Sequence, residues 1–139
     1  MAESVIVKQD SKFQTQFWAQ ENEESLKLIE VIDIHHLTPY GMMLTSLASC
    51  TAIVLHTYAQ YHHIELVEVE MHLRFDRNYK KDCESCEAQQ EYNEEIYEEI
   101  ILRGTFSEDE RQKLLYIAHA CPIYKMYKNG IDIQTKLKD

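Results

Sequence analysis

From Val67 to Asp76 apolar and polar positions alternate without a break. Val67, Val69, Met71, Leu73 and Phe75 fall on one face, and Glu68, Glu70, His72, Arg74 and Asp76 on the other. A period of two with one charged face predicts a strand over 66–74, one side on a core and the other in water. Shorter runs of the same kind open the chain. Val5, Ile6 and Val7 begin one, and 13–18 interleaves aromatics with Gln and Thr. The stretch 26–34 is rich in Leu, Ile and Val, and 21–24 reads as a polar turn before it. Ile96 to Arg103 is a further strand candidate, and Ile131, Ile133, Thr135 and Leu137 alternate in a final one.

Two segments carry the helical period instead. Thr38 suits an N-cap and Pro39 the first helical position. From there to about His63, Leu44, Leu47, Thr51, Val54, Leu55 and Tyr58 recur at three- and four-residue spacings, and Met43, Cys50, Ile53 and Thr57 occupy the opposite face. A helix with so few charges is expected at the centre of the fold, covered by a sheet and by a second subunit. Ser107 opens a second helix with Glu110 three residues on, the capping-box spacing, and Leu114, Leu115, Ile117 and Ala118 as its apolar face. Cys121-Pro122 interrupts it and starts a short helix that stops at Asn129-Gly130. The order of strands, long helix, strands, helix pair and strand is an α+β pattern, not repeated βαβ units. No internal repeat or linker divides residues 1–139, which read as one domain.

Composition narrows the function. With 14 Lys+Arg against 24 Asp+Glu the formal net charge is −10, which disfavours a nucleic-acid partner, since phosphate binding needs clustered bases. Eight of those acids lie between Asp82 and Glu99 with no Lys or Arg among them, so the rest of the chain is close to balanced. On that count the charge says little about chemistry elsewhere. The three glycines are too scattered for a dinucleotide fingerprint or a P-loop, and no GxSxG elbow occurs. No apolar run approaches a membrane span, and MAESVIVKQD lacks the basic and apolar regions of a secretory leader; a cytoplasmic protein with no membrane partner is expected.

The four cysteines carry the candidate chemistry, and without an export signal they read more readily as reactive or metal-binding thiols than as structural disulfides. Cys121, directly before Pro122, stands where the free N–H groups of a new helix favour a thiolate; the same position also suits a buried apolar cysteine. Cys50 lies in mid-helix among Leu, Ala, Ser and Thr, a setting more typical of core than of a nucleophile, and its own helix N-terminus is too distant to activate it. Cys83 and Cys86 form one CxxC among Asp82, Glu84 and Glu87. Such anions raise thiol pKa values, and one CxxC supplies two of the four ligands of a zinc site, so an inert or weakly metal-binding pair is favoured over a redox pair. His35, His36, His56, His62 and His63 show no ligand spacing and read as surface or helix-end residues.

The run Thr38-Pro39-Tyr40-Gly41-Met42-Met43-Leu44-Thr45-Ser46-Leu47-Ala48-Ser49-Cys50-Thr51-Ala52 resembles the central-helix motif of the OsmC/Ohr family, the osmotically inducible and organic-hydroperoxide-resistance proteins. Ser107 to Leu115 with Cys121-Pro122-Ile123-Tyr124 resembles the family's second motif, and Asp82 to Glu87 a DCxxCE element of one branch. The resemblance implies an OsmC-like fold, with antiparallel sheets packed on a long central helix carrying Cys50, in an intertwined homodimer. It also implies a role in the oxidative stress response. Cys50 would attack a hydroperoxide, and Cys121 would resolve the resulting sulfenic acid as a Cys50–Cys121 disulfide that an external dithiol reduces, with no cofactor. The glutamate that follows the motif proline in active relatives is replaced here by Tyr40 and Gly41, and no arginine precedes Arg74. Two functions are therefore expected in competition. One is a thiol-dependent reductase of organic hydroperoxides or hydrogen peroxide. The other is a catalytically impaired relative with a redox-regulatory role, or one that binds a small apolar ligand in a pocket lined by Tyr40, Met42 and Met43.

Overall fold

In a computed structural model, residues 2–22, 24–79 and 92–138 are described. Five strands, β1 (Ala2–Asp10), β2 (Thr15–Gln20), β3 (Leu28–Glu30), β4 (Glu65–Tyr79) and β5 (Tyr92–Thr105), form one antiparallel sheet in the order β3-β2-β1-β4-β5. Three helices, α1 (Pro39–Tyr61), α2 (Glu108–Ala118) and α3 (Pro122–Asn129), complete the α+β architecture. A 3-10 turn at Ile34–His36 occupies the end of the stretch expected to be strand, and β3 is correspondingly short.

The helix starts follow from local chemistry. The Thr38 hydroxyl accepts the Gly41 N–H at 3.1 Å and donates to the Glu3 carboxylate of β1 at 2.5 Å, so the first turn of α1 is capped and tied to the sheet. The expected capping box is present: Ser107 Oγ accepts from Glu110 N at 3.1 Å and the Glu110 carboxylate accepts from Ser107 N at 2.9 Å. Gly130, at φ 84°, ends α3 with its N–H on the Met126 carbonyl.

The core lies between α1 and the inner face of β1 and β4. Leu44, Leu47, Ala48, Ala52 and Leu55 pack on Val5, Val7, Val69, Met71, Leu73 and Phe75, with Leu114 and Ala118 closing one side. Contrary to the expectation that no apolar run approaches a membrane span, α1 is long and apolar enough by composition to cross one, but half of that stretch is buried within the chain, as in a core helix. Its far face is open, with Met42 39% and Ile53 46% exposed.

Four expectations need correction. Val67 is not core: the register shifts between Leu66 and Glu68, so one extra residue on β4 turns Val67 outward (60% exposed) and brings Leu66 in (5%). Leu115, expected on the buried face of α2, is 49% exposed. His56 is not at the surface; it is fully buried, with Nε2 2.9 Å from the Gln9 carbonyl and the ring edge-on to Phe13. Residues 131–138 form no strand, and Ile131, Ile133 and Leu137 are exposed.

Candidate active site at the α1–α3 contact

Cys50 and Cys121, remote in sequence, come together where α3 packs against the middle of α1. Cys121 is the N-cap of α3, as expected, fully buried, with Sγ accepting the Tyr124 N–H at 3.5 Å. Cys50 is half-buried, its sulfur interacts with the Cys121 thiol, and the Ile123 backbone N–H acts on it. The first turn of α3 thus serves both sulfurs. This answers what sequence could not: Cys50 receives helix N-terminal donors from α3 instead of from its own helix. Burial and the neighbouring Cys121 thiol nevertheless hold the Cys50 pKa above its ordinary value, and the Ile123 N–H opposes them.

A cavity of about 470 Å³ adjoins this contact through Leu47 and Tyr124; its lining is Met43, Leu47, Phe75, Ile96, Glu94, Glu98, Tyr124, Tyr127 and Lys128, and does not include either cysteine. Leu47 is one helical turn before Cys50, and Tyr124 is the residue whose N–H holds Cys121. Tyr127 closes one end: its hydroxyl donates to the Met43 carbonyl at 3.1 Å and is 2.9 Å from Ser46 Oγ. Of the residues expected to line a pocket, Met43 does so. Met42 and Tyr40 do not line it: Met42 is 39% exposed, and Tyr40 stacks on the lining residue Phe75, ring centroids 5.0 Å apart.

Two residues of the acidic stretch reach the site, contrary to the expectation that its charge says little about chemistry elsewhere. Glu94 and Glu98 of β5 are cavity residues. Burial pushes the Glu98 carboxyl up from its ordinary value, with His119 opposing, and Glu98 Oε1 is buried without a hydrogen-bond partner among the described residues. A signal for Glu98 was present in the sequence, for Ile96, Glu98 and Ile100 share one strand face, which puts a carboxyl in the apolar register. Arg77 carried no such signal. It projects from β4, where Nη1 donates to Tyr40 Oη at 3.2 Å and Nε lies 3.4 Å from Glu94. So Tyr40, where active relatives carry glutamate, here holds an arginine supplied by β4 rather than by the N-terminal strands. Cys83 and Cys86 lie outside the described residues. Among the described residues, no group of three or more His, Cys, Asp or Glu side chains could hold a metal ion.

Comparison with known proteins agrees with this architecture. The family model described as OsmC-like protein matches residues 33–136. The chain belongs to the OsmC-like family. Among solved structures it is similar to the crystal structure of an OsmC-like hydroperoxide resistance protein from Jannaschia sp. CCS1, with 12% identity over 99% of this chain and 94% of that one and a TM-score of 0.71. It is also similar to the organic hydroperoxide resistance protein OhrB of Bacillus subtilis, with 14% identity over 98% and 97% of the two chains and a TM-score of 0.52. No curated protein sequence matches the chain.

Proposed function

We propose that this protein is a thiol-dependent hydroperoxide reductase that works as a homodimer in a reducing compartment such as the cytoplasm. One observation carries the reading. The two cysteines of the family motifs meet at the first turn of α3, and their neighbours Leu47 and Tyr124 line a cavity large enough for a small peroxide. The Cys50 thiolate attacks the distal peroxide oxygen, the O–O bond breaks, and an alcohol or water leaves while the sulfur becomes a sulfenic acid. Cys121, the neighbouring thiol, displaces water from that sulfur to give the disulfide, and an external dithiol returns both thiols. Membership of the OsmC-like family and structural likeness to hydroperoxide resistance proteins support this.

The test is consumption of cumene hydroperoxide with dithiothreitol as reductant. Turnover abolished in Cys50→Ser supports the reading, and turnover equal to that of free dithiothreitol refutes it. The apolar side of the cavity, built from Met43, Leu47, Phe75 and Ile96, favours a second reading as an apolar-ligand binder. Thermal stabilisation of Cys50→Ser by a small apolar ligand in the absence of wild-type turnover would select it.

A further inference from the structure

The cavity contains a carboxyl that the thiol chemistry above does not use. Glu98 sits on the core-facing side of β5 between Ile96 and Ile100, opposite Leu73 of β4. Its Oε1 is buried with no hydrogen-bond partner among the described residues, although Tyr124, Tyr127 and Lys128 of α3 line the same cavity. A polar atom buried without a partner is costly, and it is most easily explained when something that visits the site completes it. From these elements the titratable groups around Glu98 are Glu94 on its own strand, Lys128, Tyr124 and Tyr127 on α3, and His119 in the α2–α3 connection. Arg77 of β4 is engaged by Glu94 and Tyr40, and α1 contributes the apolar Met43 and Leu47.

We propose that Glu98 is a catalytic acid that protonates the departing oxygen of the peroxide. The proposal rests on the reductase reading. Cleavage by a thiolate leaves an alkoxide, a poor leaving group that needs a proton as the O–O bond breaks. The balanced step has the Cys50 sulfur form a bond to the distal oxygen, which keeps its hydrogen and becomes Cys50–SOH. The O–O electron pair goes to the proximal oxygen, which takes the Glu98 proton and leaves as ROH. Sulfur is oxidised by two electrons and the peroxide is reduced by two. Glu98 is left as a carboxylate and regains from solvent the proton that Cys50 released on ionising. Burial, which keeps this carboxyl protonated to higher pH than an exposed glutamate, suits it to the task.

The test compares wild type, Glu98→Gln and Glu98→Ala in single-turnover oxidation of Cys50 across about pH 5 to 9, with alkylation of Cys50 by iodoacetamide as control. Glu98→Gln should slow oxidation by cumene hydroperoxide roughly 10- to 100-fold and remove the alkaline fall in the rate per thiolate. Alkylation, which needs a thiolate but no acid, should change by less than about twofold. Peracetic acid, whose leaving group is a stable carboxylate, should oxidise the Gln variant almost as fast as wild type. Equal rates of cumene hydroperoxide cleavage in wild type and Glu98→Gln, or equal losses of oxidation and alkylation, overturn the role of Glu98. A wild-type protein inert to both peroxides overturns the reductase reading itself.

Discussion

Cys50 in the middle of α1 faces Cys121 at the N-cap of α3, and the two thiols draw on adjacent N–H groups, those of Ile123 and Tyr124. The resting pair is therefore preassembled but not fully activated, because burial and the Cys121 thiol both hold Cys50 protonated. Alkylation of Cys50 should rise with pH through and beyond the neutral range, since its pKa lies above the ordinary thiol value. Cys121→Ala removes one of the two causes and leaves burial, so alkylation at neutral pH should accelerate by about threefold. A slower reaction in that variant would mean that Cys121 activates Cys50.

Glu70 gives the fold an acid limit. It is buried on the outer face of β4, where it meets His72 Nε2 at 2.5 Å, Arg103 Nη1 at 3.0 Å and Lys8 Nζ at 3.5 Å. The His72 hydrogen bond first, then Arg103 and Lys8, lower its pKa to about 2 against burial. A depressed carboxylate stabilises the fold above its unfolded value and loses that contribution as the pH falls through its folded one. Denaturant midpoints should accordingly fall between about pH 4.5 and pH 2 in wild type, with a flatter profile in Glu70→Gln. At neutral pH that variant should be less stable by about 1–2 kcal/mol.

Gly104 should tolerate no side chain. It opposes Leu66 at the β4 irregularity with φ at +157°, and a Cβ there would stand 2.0 Å from the Glu65 carbonyl oxygen. Backbone cannot move aside as a side-chain tip can, so Gly104→Ala should cost about 3 kcal/mol in chemical denaturation. Gly130→Ala, with nothing within 4 Å of its Cβ, should cost about 1 kcal/mol through its left-handed φ alone.

The same irregularity marks how far the sequence could be read. The α1 start at Thr38-Pro39, the Ser107–Glu110 box and the Cys121 N-cap were all legible, because each depends on neighbours within four residues. The alternation across 66–76 was legible as a strand but misplaced Val67, since the extra residue is set by Gly104 on the facing strand. Arg77 was missed for a related reason. Its link to Tyr40 spans a strand and a helix, and no local pattern encodes it. Glu98 was hidden by its neighbours: among eight acids it resembled the solvated ones, although its register set it apart. The core role of His56 depended on Gln9, a partner far away in the chain.

Dimerisation should be visible at the C-terminus. Ile131, Ile133 and Leu137 are 63%, 77% and 93% exposed in the single chain, and the outer face of α1 leaves Ile53 uncovered. Exposed apolar residues in this alternating order suit a strand that pairs with a second copy. Light scattering should give twice the 16.5 kDa chain mass, and a chain ending at Gly130 should dissociate or lose solubility. A wild-type monomer would remove the dimer from the account.

The central claim is that Cys50 and Cys121 form one redox pair. The most direct measurement is peptide mapping by mass spectrometry after one equivalent of cumene hydroperoxide, under non-reducing conditions. The account predicts a single Cys50–Cys121 cross-link that disappears with dithiothreitol, and a stable sulfenic acid on Cys50 in Cys121→Ser. Both thiols still free after the peroxide pulse, or a cross-link joining Cys83 and Cys86 instead, would contradict it.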